Sequence, residues 1–172
     1  MMKIAITGKM CSGKSTLAQI IKETNQEYVI YSFGLKIKEL AKDIFNMKEK
    51  DRTLLTSIGT KMREIDPEVW TNYIIKQTEK ETHCIVDDLR YQNEYDILVK
   101  NGFKIIQLNI SKENQEKRIK KVYPNNYKDH LDNRNHSSES NEFKWSQEPL
   151  IIDSDKETIF DIRTKVLSFI NE

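Results

Sequence analysis

The octapeptide Gly8-Lys9-Met10-Cys11-Ser12-Gly13-Lys14-Ser15 constrains this chain more than any other feature. It is a complete match to G-x-x-x-x-G-K-[ST], preceded by an apolar run and followed by an amphipathic stretch, the setting in which the pattern carries meaning. Its chemistry dictates strand, loop, helix. Gly8 and Gly13 let the backbone bend so that successive amides point at phosphate oxygens. A helix beginning near Lys14 adds the partial positive charge of its N-terminus. Lys14 is suited to the β- and γ-phosphates of a nucleoside triphosphate, and the Ser15 hydroxyl to Mg²⁺. Lys9, Cys11, Ser12 and Thr16 complete the expected ATP-binding set. The motif is silent about what receives the phosphate.

The remaining pattern is one α/β domain over 1–172, in which short apolar runs alternate with amphipathic stretches. Strands are expected at Lys3–Thr7, Tyr28–Phe33, His83–Asp87, Phe103–Ile110 and Pro149–Asp153. Helices are expected at Ser15–Thr24, Leu35–Asn46, around Leu54–Met62, from Pro67 with Asp66 as N-cap, around Tyr95–Val99, at Lys112–Lys121 and at Glu157–Ile170. This predicts a three-layer α/β/α sandwich with five parallel strands in order 2-3-1-4-5. The 28 basic and 27 acidic residues nearly cancel, so net charge gives no sign of nucleic-acid binding. No apolar run approaches a membrane span, and the N-terminus runs straight into a strand. Cys11 and Cys84 have no metal-like spacing. The expected setting is the cytoplasm (a host's, if the chain is viral), as monomer or homodimer, with small-molecule nucleotides as partners.

Two regions stand out as functional elements. Asp87-Asp88-Leu89-Arg90 lies at the C-terminal end of a central strand, where open α/β sheets bind ligands. Asp87 is the better second carboxylate for Mg²⁺; either aspartate could instead hold an acceptor, and Arg90 could grip phosphate. The stretch 111–148 contains a polar segment, Tyr123–Asn141, with almost no apolar residues, and reads as a lid. Within it His130 and His136 are expected to be surface residues. A guanine-specific switch would carry Asn-Lys-x-Asp after its fourth strand; Gln107–Glu113 lacks it.

Ser32-Phe33-Gly34-Leu35-Lys36, Gly59-Thr60-Lys61-Met62-Arg63, Trp70 and Val86-Asp87-Asp88-Leu89-Arg90-Tyr91-Gln92-Asn93-Glu94 together resemble the deoxynucleoside monophosphate kinases of phages and large DNA viruses. The resemblance covers roughly residues 1–110. It implies the nucleoside monophosphate kinase fold, with ATP as co-substrate, Mg²⁺ as cofactor and an acceptor-binding helical region over 34–80. Lys36 and Arg63 would hold the acceptor's phosphate. Phe33, Trp70 and Tyr91 would wall its base or serve as plain core, and Glu94 would join the acceptor site. Asp88 matches the family's Asp-x-Arg spacing and, with Lys14, Arg90 and Arg118, would form the catalytic set. Arg118 lies where a lid arginine is expected, with Arg134 as a second candidate. Dephospho-coenzyme A or phosphomevalonate kinases, and a non-catalytic nucleotide-binding module, are the alternatives.

Overall fold

A computed structural model describes residues 2–132, 134 and 142–171. Five parallel strands run β1 (Met2–Gly8), β2 (Val29–Tyr31), β3 (His83–Leu89), β4 (Phe103–Asn109) and β5 (Leu150–Asp153), ordered β2-β3-β1-β4-β5. This is the predicted order. β1 occupies the centre, and its Ile4, Ala5 and Ile6 are fully buried. A central parallel strand is covered on both faces, so it reads as a continuous apolar run.

Helices α2 (Phe33–Phe45), α3 (Arg52–Ile65), α4 (Val69–Thr78) and α5 (Gln92–Lys100) close one face, around Phe33, Ala41, Trp70, Val86 and Tyr95. On the other face, α1 (Lys14–Thr24) and α8 (Ile159–Asn171) pack Leu17, Ile21 and Val166 against Ile4, Ile85 and Ile106. Between β4 and β5 lie α6 (Lys112–Val122) and α7 (Tyr127–Asp132).

The register of β1 on β3 shifts at the end that matters. Ala5 pairs with Val86 but Thr7 with Leu89, so Ile6 stands opposite both Asp87 and Asp88. A bulge of this kind re-aims side chains. Here it brings two consecutive carboxylates to one cavity, where regular alternation would send them to opposite faces.

Several boundaries differ from the sequence expectation. The second strand shortens to three residues because Ser32 already begins the turn into α2. Asp66 does not cap a helix starting at Pro67; its carboxylate accepts from the Glu68 amide at 2.9 Å within a turn, and α4 starts at Val69. The polar stretch after Tyr123 contains α7, and His130 is buried there rather than at the surface. It stacks on Tyr123 at 3.6 Å between ring centroids. His136 lies outside the described residues. At the far end of the expected lid, Phe143 and Trp145 pack on Tyr95, whose hydroxyl accepts from the Ser146 and Gln147 amides at 2.8 and 2.9 Å.

Tyr95→Phe is therefore expected to leave two backbone donors without their partner, at a cost of about 1–3 kcal/mol. Denaturant unfolding should show the loss, and amide exchange at Ser146 and Gln147 should accelerate more than exchange in β1.

Candidate active site

The loop between β1 and α1 adopts the curl its sequence demands. Gly8 has φ 148°, and a Cβ there would lie 2.7 Å from the Leu108 carbonyl oxygen. Gly13 has φ 106° and Cys11 φ 60°. Left-handed residues interleaved with right-handed ones turn amides toward a common centre and carbonyls outward. The carbonyls have assigned partners. The Lys14 ammonium donates to Gly8 O at 2.5 Å and Lys9 O at 2.9 Å. Gln115 donates to Met10 O at 3.0 Å. The Arg118 guanidinium donates to Cys11 O, Ser12 O and Ser154 O at 3.3, 3.2 and 2.7 Å, and the Ser154 hydroxyl donates to Ser12 O at 2.8 Å. Arg118 thus braces the loop from its outer side.

Ser15, at the start of α1, donates to an Asp87 carboxylate oxygen at 3.2 Å. Burial, reinforced by neighbouring Asp88, pushes the Asp87 carboxyl above its ordinary pKa. A half-buried carboxylate beside a hydroxyl is a hard-oxygen donor pair of the kind Mg²⁺ takes, with phosphate and water completing its shell. These two residues fit that ion, and no larger cluster of metal-binding side chains occurs among the described residues.

Asp88 has a different engagement. Its carboxylate accepts from the Ser32 hydroxyl and from the Phe33 and Gly34 amides, each at 2.8 Å. It therefore caps α2, where the helix N-terminus favours negative charge. A Cβ at residue 34 would come within 3.2 Å of that carboxylate, which accounts for Gly34.

One cavity of about 470 Å³ opens from the loop toward α2, α3 and the end of β3. It gathers Cys11, Lys14, Ser15, Phe33, Arg63, Asp87, Asp88, Arg90, Tyr91 and Glu94 from the sequence-derived set. Arg63 is committed within it: it pairs with buried Glu94 at 2.9 Å, donates to Gly59 O at 3.2 Å and lies 4.5 Å over the Tyr91 ring. Glu94 also accepts from the Arg90 and Tyr91 amides, yet burial still raises its pKa.

Gly8, Ser12 and Gly13 form the loop itself, while Lys9 and Thr16 are exposed beside it. Two expectations need correction. Lys36 lies outside the cavity, paired with Glu39 at 3.0 Å and over the Tyr73 ring. Trp70 is buried core, its indole donating to Gly59 O at 3.2 Å. Arg134 is bound within the α6–α7 region, to Leu131 O and Glu116.

The sequence reading missed Lys38, Lys50, Arg52 and Tyr123, all of which line the cavity. Lys48–Arg52 is five consecutive charged residues with no apolar period to mark an inward face. The available signal was Asp51, whose carboxylate accepts from the Leu54 amide and fixes Arg52 as the first residue of α3.

Comparison with known proteins agrees with this geometry. The model of the AAA domain family matches residues 4–144. No curated protein matches the chain. Among solved structures, a gluconokinase from Sinorhizobium meliloti is similar at 14% identity and TM-score 0.62, covering 99% of this chain and 91% of that one. An APS kinase from Mycobacterium tuberculosis, solved with AMPPNP and APS, is similar at 12% identity and TM-score 0.61, with 99% and 98% covered. Shikimate kinase from Aquifex aeolicus is similar at 16% identity and TM-score 0.55, with 98% and 96% covered. At these identities the likeness is one of fold.

The raised Asp87 pKa fixes the sign of a stability effect. The folded state holds that proton more tightly than the unfolded chain, so the ionised carboxylate costs stability at neutral pH. The cost disappears as pH falls through the raised folded value toward 3.8. Asp87→Asn is expected to melt at or above the wild-type temperature at pH 7.5, with the gap closing on acidification. Thermal melts across that range check it, and the same variant should bind Mg²⁺–ATP more weakly.

Proposed function

The chain belongs to the AAA domain family, and from that premise we propose that it is an ATP-dependent kinase of small molecules whose acceptor is a deoxynucleoside monophosphate. One observation carries the reading. The phosphate-binding loop opens directly into a chamber bearing six cations (Lys14, Lys38, Lys50, Arg52, Arg63, Arg90) against three carboxylates (Asp87, Asp88, Glu94). That balance suits two phosphate groups brought face to face, whose repulsion must be neutralised before transfer. The sequence resemblance supports a nucleotide acceptor, and the half-buried Tyr91 ring lining the cavity supplies an apolar wall for a base.

In this mechanism the loop amides and Lys14 hold the triphosphate and offset charge on the transferring group. Ser15 and Asp87 would hold Mg²⁺, which when bound supplies charge neutralisation at the β- and γ-oxygens. Arg90 approaches the acceptor from the end of β3. Asp88 fixes α2, so that the acceptor chamber keeps its shape. The acceptor phosphate is already anionic, so no general base is required. Arg118 acts through the loop it braces in this state. The α6–α7 region serves as a lid that excludes water, and closure would bring further charge to the phosphates.

Gluconokinase and shikimate kinase among the structural neighbours support a second reading, a kinase with a different small acceptor. A non-catalytic nucleotide-binding module is the third. Coupled ADP release against a panel of ribo- and deoxynucleoside monophosphates, gluconate and shikimate separates them. The expected result is turnover with at least one deoxynucleoside monophosphate and its loss in Lys14→Met by on the order of a thousandfold. Turnover only with an unphosphorylated acceptor, or with none, contradicts the nucleotide reading.

A further inference from the structure

We infer that Lys50 and Arg52, with Lys38 on the same cavity wall, form the subsite for the acceptor's own phosphate group, in place of the Lys36–Arg63 pair implied by sequence resemblance. Arg63 is already neutralised by buried Glu94, with its plane against Tyr91. Lys36 faces Glu39 outside the cavity. Lys38, Lys50 and Arg52, by contrast, form no ion pair with any carboxylate among the described residues.

The geometry around Arg52 suits an anion. Its Nε is buried and has no hydrogen-bond partner among the described residues. Its Nη2 donates to Met10 Sδ at 3.8 Å, a weak acceptor. Lys50 and Arg52 both sit against the Tyr123 ring, 5.7 and 5.8 Å from its centroid. Two like charges collected around one aromatic ring repel each other, and an anion between them and the cavity would offset this.

The backbone adds to the attraction. Asp51 caps α3, so Arg52 is its first residue and Lys50 immediately precedes the cap. The fourteen-residue helix therefore directs its positive end toward this wall. Partial desolvation, together with the Arg52, Lys38 and Arg90 cations, draws the Lys50 pKa down. An arriving dianion would reverse that direction. The chemistry selects a phosphomonoester, whose dianion can accept charge-assisted hydrogen bonds from Lys50 and Arg52 together; a sugar hydroxyl brings no charge to this wall.

The inference rests on the nucleotide-kinase reading for its ligand, and the experiment separates the two. The full chain, with Mg²⁺–AMPPNP filling the loop, is titrated with inorganic phosphate while the Arg52 Nε–Hε NMR signal is followed. In parallel, the acceptor KM is measured for wild type and for Lys50→Gln/Arg52→Gln, with thermal melts to establish folding. The subsite predicts a saturable shift of the Arg52 signal. It also predicts an acceptor KM raised on the order of thirtyfold, with the KM for ATP changed by less than about threefold. An unmoved Arg52 signal, or a folded double variant with the wild-type acceptor KM, overturns the subsite and leaves the kinase reading standing. A shifted signal with no turnover of any nucleoside monophosphate supports the subsite for another phosphomonoester and overturns the nucleotide reading.

Discussion

A loop that points its amides at a phosphate must turn its carbonyls away, and those carbonyls need donors. The rest of this structure is arranged around that requirement. Gln115 and Arg118 from α6, and Ser154 just past β5, supply the donors for Met10, Cys11 and Ser12. A buried carbonyl without a partner costs about 1–3 kcal/mol, so the loop's shape depends on segments more than a hundred residues away. It also couples the loop to α6.

The opposite wall depends on the bulge in β3. By placing Asp87 and Asp88 together against Ile6, it gives one carboxylate to Ser15 and the other to the start of α2. The two aspartates divide the labour. Asp87 accepts from the Ser15 hydroxyl, while Asp88 holds the start of α2 against the end of β3. Glu94 repeats the second device one turn later, tying Arg63 and the start of α5 together.

Much of the fold was legible because its signals are local and periodic. The buried strands read as continuous apolar runs, and the phosphate loop announces itself through Gly8, Gly13, Lys14 and Ser15. The wall built from α2, α3 and α4 was less legible. Lys36 and Lys38 lie two residues apart on α2, about 200° around a helix, so their sequence neighbourhood is shared while their destinations are opposite. Trp70 looked like a base-stacking wall because an aromatic on an inward face serves core and site equally well; its bond to Gly59 O decides for core. Asp88 matched a catalytic spacing, and only the three bonds to α2 reveal its structural engagement. His130 sat in a polar stretch with no apolar period, and its burial depends on Tyr123 and Met10, contacts no local pattern encodes.

The central claim is that donor and acceptor phosphates meet in one cavity over the loop. A bisubstrate analogue, adenosine joined through five phosphates to a deoxynucleoside, tests it most directly by calorimetry. The account predicts one molecule bound per chain, far more tightly than ATP or the deoxynucleoside monophosphate alone, with the gain lost in Lys14→Met. An analogue that binds no more tightly than ATP would show that the acceptor chamber is not the second half of the site.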